Sequence, residues 1–127
     1  MTPSKVFVID GLGAVLSALF LGIALPAFDV GVPREQLYLL AGVALLLALN
    51  GGLAWRFAGE RGPGWLRLTA CLNLGYTLLT GGLLSLHASA MTGLGLLYFG
   101  GEIVIILCLA AWELRVASAA SEAPEAD

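Results

Sequence analysis

The chain is predicted to be all-α, an integral membrane four-helix bundle running up-down-up-down. Three observations predict it. Of its 127 residues 59% are apolar and only 12% charged, far from the balance of a soluble domain. The apolar residues fall into four runs, about 6–28, 36–57, 65–86 and 93–116, each near the ~20 residues that carry a helix across a bilayer core. The links between the runs are short, which makes successive helices antiparallel neighbours. The runs are too long for membrane strands and do not alternate apolar and polar residues, whereas helices satisfy their own backbone in lipid. By length, residues 1–116 form one transmembrane domain.

The first run follows a single lysine, Lys5, and is interrupted by Asp10. Both features argue against a cleavable signal peptide, so the run is read as a retained helix. The link "DVGVPREQ" places Pro33 at a helix start with Glu35 in the first turn. The second link, "AGERGPG", is a charged Gly/Pro turn, and the third is "HASAMT". After Val116 the segment "ASAASEAPEAD" has no apolar face and is expected to be a disordered acidic tail over 117–127. With three acids in that tail (Glu122, Glu125, Asp127), the net charge of −3 mostly describes the tail.

Orientation follows from the basic residues. Lys5, Arg56, Arg61, Arg67 and Arg115 fall on one side of a four-span chain and Arg34 alone on the other, which predicts both termini in the cytoplasm. Trp55, Trp65 and Trp112 fall at the same boundary, as an aromatic belt does. No basic cluster points to nucleic acid. The expected partner is the lipid bilayer, with a homo-oligomer as a further possibility. Cys71 and Cys108 lack metal or disulfide spacing and read as small apolar residues. No metal and no cofactor is expected, because "GLG" and "GLGLLYFGG" match neither dinucleotide nor phosphate loops and lie within spans.

Lipid gives helices no hydrophobic reason to associate, so close packing of small residues must supply it. Ala14-Ala18-Gly22, Ala44-Ala48-Gly52 and Gly81-Ser85-Ser89 have that spacing. Gly100 and Gly101 are expected to admit a neighbouring backbone.

Polar residues within the runs form two layers when counted at about 1.5 Å per residue from the cytoplasmic end. Asp10, Asn50 and Asn73 lie roughly 6–12 Å in, and Ser17, Thr80 and Glu102 roughly 17–21 Å in. Helical spacing puts Asp10, Gly13 and Ser17 on one face, Asn73, Tyr76, Thr77, Thr80 and His87 on another, and Tyr98, Glu102, Leu109 and Glu113 on a third. The economical arrangement turns these stripes inward. Interhelical hydrogen bonding accounts for Asn50, Asn73, Ser17 and Thr80. Asp10 is expected to pair with Lys5 or Arg67, and Glu113 and His87 to be interfacial. Glu102 is different: ionised at that depth it costs several kcal/mol unless paired, and no basic residue shares its level. Its expected state is neutral, bonded to Tyr76, Thr80 or Ser17.

The segments "IDGLGAVLSALFLG", "GVPREQLYLLAG", "LNLGYTLLTGGL" and "LGLLYFGGEIVII" together resemble a family of small uncharacterised bacterial membrane proteins with four spans. The resemblance covers nearly the whole chain except the tail. It implies the four-span topology and a bacterial inner membrane, and it implies no activity. Small multidrug exporters share the span number and a membrane carboxylate, but their acid lies in the first helix and their motifs are absent, so that likeness is analogy.

Three functions fit these residues. One is binding or movement of a small solute, proton or cationic or lipid-like ligand, with Glu102 as the titrating group, Asp10 as its outlet and Asn73, Tyr76, Thr80, Ser17 and Asn50 as further candidate contacts. Another is an intramembrane isomerase-type enzyme with Glu102 as acid or base. The third is a structural or accessory subunit whose polar layers only fix packing. Binding is preferred over catalysis, because no nucleophile with its base and no metal set stands out. The orientation has a direct check: a reporter fused after Asp127 that works only in the cytoplasm should be active, whereas a periplasm-dependent reporter at that site should be silent.

Overall fold

The structure, a computed structural model, describes residues 3–122. It contains four long helices: α1 (Pro3–Leu19), α2 (Arg34–Phe57), α3 (Gly62–His87) and α4 (Gly93–Glu122). Short irregular turns extend α1 to Ala27 and flank α3. Each of the four is long and apolar enough to cross a membrane. Between 22% and 33% of each span is buried inside the protein, so most of each apolar surface faces outward. Leu78, Leu97 and Ile105, at least 67% exposed, are intelligible only against lipid. Length and composition therefore make this a multi-pass membrane protein.

The helices pack as two sequence-adjacent hairpins. α1 lies tightly on α2, and α3 on α4; contact between the hairpins is sparser. Small residues explain the tightness of the first hairpin. A Cβ on Gly51 would sit 2.9 Å from the Gly11 Cα and 3.2 Å from the Phe7 carbonyl oxygen, so the two backbones cross at Gly11 and Gly51. Farther along, Gly22 meets Ala41, and Ala18, Ala41 and Ala44 are buried. Of the expected stripe on α2, Ala44 is buried and Ala48 lies at the crossing, but Gly51 takes the place of Gly52, which is exposed and faces open space. The expected stripe on α3 is not a packing surface. Gly81 meets nothing, and Ser85 is exposed with its hydroxyl donating to the Gly81 carbonyl. Spacing identifies small residues but not which of two adjacent glycines faces the partner.

The end of α1 is shaped by Pro26. It has no N–H to donate to Gly22 and its ring crowds that carbonyl. The helix responds by widening into a π-turn over Phe20–Ala24, with the Leu25 N–H reaching the Phe20 carbonyl, and then tightening into a 3₁₀ turn over Leu25–Ala27. Arg34 Nε donates to the freed Pro26 carbonyl at 3.1 Å. The lone arginine at this end of the bundle therefore caps a helix C-terminus, where a cation is favoured. Pro33 and Glu35 open α2 as their chemistry predicts. Thr92 caps α4: its hydroxyl accepts from the Gly95 N–H and donates to the Asp29 carbonyl at 2.8 Å. Gly31, at φ 84°, lets the first loop lie directly on Ala90 and Met91.

Two apolar clusters result. One, around Leu21, Leu37, Leu40 and Phe99, lies toward the first loop. The other, around Val6, Phe7, Leu66 and Ala117, lies toward the termini. α4 does not stop at Val116. Ala-rich residues with high helical propensity carry it to Glu122, and Ala117 is fully buried in the second cluster. Residues 117–122 thus continue the helix where a disordered tail was expected, and 123–127 lie outside the described residues.

The crossing at Gly11 and Gly51 predicts an asymmetry between adjacent glycines. Gly51→Val should destabilise the protein by about 1–3 kcal/mol through overpacking. Gly52→Ala should be neutral or slightly stabilising, since Ala favours helix by about 1 kcal/mol over Gly. Unfolding in mixed micelles measures both; equal effects would contradict the crossing geometry.

Candidate functional site

Between the two apolar clusters, polar side chains from α1, α3 and α4 converge. Asn73 stands at the centre. Its Nδ2 donates to Asp10 Oδ1 at 2.8 Å and to Glu113 Oε1 at 2.7 Å. Both carboxyls are buried, Asp10 being 3% and Glu113 0% exposed. One amide thus bridges both hairpins, because Asp10 belongs to the first and Asn73 and Glu113 to the second. The bonded oxygens of the two acids can be no farther apart than these two bonds laid end to end. No donor reaches the other oxygen of either acid.

This corrects two expectations. The bond found for Asp10 is to the Asn73 amide rather than to a basic side chain. Glu113 is not interfacial: α4 runs beyond Val116, so Glu113 lies well within the helix and its carboxyl in the bundle. The eleven-residue spacing from Glu102, which puts both on one face of a helix, was the signal in the sequence that placed it there.

A third acid, Glu102, lies farther toward the first loop. Tyr76 donates its hydroxyl to Glu102 Oε1 at 2.7 Å. Glu102 is 8% exposed and its Oε2 has no hydrogen-bond partner. Tyr98, one turn earlier on α4, brings its hydroxyl toward the same carboxyl and toward Ser17 on α1. Thr80 is fully buried near the Tyr76 hydroxyl. The layer of Ser17, Thr80 and Glu102 expected from depth counting is therefore brought together, with Tyr76 making the decisive bond.

Between Asp10 and Glu102 is a cavity of about 330 Å³. Asp10, Ser17, Asn73, Tyr76, Tyr98 and Glu102 contribute its polar wall. Most of the remaining lining is aliphatic or aromatic, including Leu47, Ile106 and Phe20. Its rim runs along α1 and α4, where Leu16, Phe20 and Ile105 are exposed, so the opening faces sideways into lipid. Two glycines stand in its wall. Gly13 and Gly101 both line it, and a Cβ on either would meet nothing within 4 Å. The expectation that Gly100 and Gly101 admit a neighbouring backbone is therefore overturned: both are exposed and face open space. One end of the opening is spanned by the tilted pair Phe20 and Tyr98, with ring centroids 5.8 Å apart. The π-turn that begins at Phe20 sets the local backbone there, a frequent feature of functional sites in helices.

Asn50 and Thr80 do not line the cavity. Asn50 is committed elsewhere: its Nδ2 donates to Thr69 Oγ1 at 2.8 Å and its Oδ1 accepts from Trp65 Nε1 at 2.9 Å. That clasp joins α2 to α3, and sequence reasoning missed Thr69 and the Trp65 N–H because both look ordinary in an apolar run. His87 is half-buried with no partner for Nε2. Among the described residues no group of His, Cys, Asp and Glu is arranged to hold a metal. Cys71 and Cys108 are free and exposed, on the outer surface rather than in the core.

No family model matches the chain, and no curated protein or solved structure matches it significantly. The four long apolar helices agree with the topology implied by the resemblance to small four-span membrane proteins. The two polar centres should differ in structural weight. Asn73→Leu removes the donor from two buried acids, at about 1–3 kcal/mol for each group left unsatisfied. Tyr76→Phe leaves one such group, Glu102 Oε1, at the same cost of about 1–3 kcal/mol. Unfolding in mixed micelles should rank Asn73→Leu well below Tyr76→Phe.

Proposed function

We propose that this protein is a bacterial inner-membrane protein, with both termini cytoplasmic, that binds a small amphipathic cation in the cavity between α1 and α4. The observation that carries the reading is the Glu102 carboxyl. One of its oxygens is held by Tyr76, the other has no partner, and the residue stands in the wall of a mostly apolar cavity. A carboxyl so placed is oriented by the protein and retains capacity for a ligand.

The chemistry of the lining selects the ligand class. It carries two acids and no basic side chain, which favours positive over negative charge. The rings of Phe20, Tyr76 and Tyr98 add faces that attract an organic cation. The aliphatic remainder suits an alkyl portion, and the volume falls at the small end of ligand pockets, about 300–1,000 Å³. Access is sideways, from lipid, because apolar clusters close the bundle at both ends. That closure supports binding within the membrane over passage through the bundle.

The test uses the protein in lipid nanodiscs, with a short-chain alkyltrimethylammonium and the uncharged alkyl alcohol of equal length as probes. Tyrosine and tryptophan fluorescence should report saturable binding of the cation. Gly101→Leu, which puts a side chain into the void without disturbing packing, should abolish it. Glu102→Gln should weaken the cation about tenfold or more, ~1.4 kcal/mol, and leave the alcohol unchanged. If both variants bind the cation like the unaltered protein, the reading fails and the polar interior serves packing alone, as in an accessory subunit.

A further inference from the structure

We infer that Asp10 and Glu113 form a one-proton site: a carboxyl dyad, held in register by Asn73, that shares a single exchangeable proton and joins the two hairpins through it. Geometry carries this independently of any ligand in the cavity. Both acids are more than nine-tenths buried, and both accept from the same Nδ2. Asn73 has two amide hydrogens and spends one on each. The remaining oxygens, Asp10 Oδ2 and Glu113 Oε2, are buried with no donor from the protein, on two carboxyls that one amide nitrogen holds together.

With no proton, the site would hold two like charges in a low-dielectric interior, side by side. With two, a donor hydrogen would be left over beside groups already satisfied by Asn73. One proton gives each carboxyl a partner and leaves a single delocalised negative charge stabilised by both amide hydrogens, the arrangement adopted when two carboxylates share a site. The charged groups of the surrounding elements do not replace it. Lys5 on α1, Arg67 on α3 and Arg115 on α4 are exposed, and α2 offers the Asn50 amide, which is bonded to Thr69 and Trp65. Nor does Glu102 enter the dyad: it lies eleven residues from Glu113 along α4, about 16 Å in helical rise, and bonds to Tyr76.

The site sits on a sparse contact between the two hairpins. α1 touches α4 sparsely, and the dyad crosses that seam beside the cavity, which Asp10 also lines. Loss of the proton would put like charges on two helices that touch only sparsely.

Infrared spectroscopy of the carboxylic C=O stretch, at neutral pH in lipid and without ligand, tests the inference. In the Glu102→Gln protein, whose dyad is intact, the band should integrate to one protonated carboxyl per chain and should shift on exchange into D2O. Adding Asp10→Asn or Glu113→Gln should each displace or remove that same band. An integral of two, or of none, overturns the inference. So do two bands that each respond only to their own variant. Because the band intensity is read in a protein with its dyad untouched, instability of the dyad variants does not protect the proposal. Because no ligand is present, its failure is distinguishable from failure of the cation-binding reading.

Discussion

The bundle depends on one constraint: a buried polar group in lipid must find its partner inside the protein. Asn73 meets that constraint for two acids on two other helices at once. Apolar packing cannot do this job, because the helix surfaces gain nothing from leaving lipid. Close contact at Gly11 and Gly51 builds the first hairpin, and the Asn50 clasp joins α2 to α3. The Asn73 bridge is what carries α1 across to the second hairpin. The cavity exists because that bridge and the Phe20–Tyr98 pair hold α1 and α4 together at separate points while Gly13 and Gly101 leave the intervening seam unfilled.

Much of this was legible in the sequence, for physical reasons that can be named. Four runs of bilayer length announce four helices because backbone groups in lipid admit few other structures. Depth counting placed Asp10 level with Asn73, and Glu102 level with Ser17 and Thr80, because helical rise is fixed. The same arithmetic could not say which neighbours face each other. Asn50 shares the depth of Asp10 but turns to the α2–α3 contact. Glu113 has the right periodicity to be internal, yet a helix ending at Val116 would put it at the interface. Helix ends are poorly defined where alanine and serine replace leucine, since those residues tolerate helix without demanding burial.

Glycine carries two opposite meanings in this bundle. Close packing is the usual meaning of small residues in membrane helices, and at Gly11, Gly22 and Gly51 that meaning holds. Gly13, Gly100 and Gly101 carry the opposite one: they face space. The two uses cannot be told apart in a single sequence, because both consist of a missing side chain. What separates them is whether the opposite helix approaches, and that is decided by residues elsewhere. The pairing of Gly31 with Ala90 and Met91 was equally invisible, as it joins two loops distant in the chain.

The two open glycines give the cavity a property that most binding pockets lack. In an ordinary pocket the walls are also the core, so resizing the space disturbs the fold. Here the volume is set by positions where a side chain would touch nothing. A methyl at residue 13 or an isopropyl at residue 101 would shorten the space as a stop shortens a drawer, leaving the frame intact. The dimension of the chamber and the stability of the bundle are therefore separable traits. A chain built this way can be re-gauged for a smaller or larger occupant by one substitution at a time.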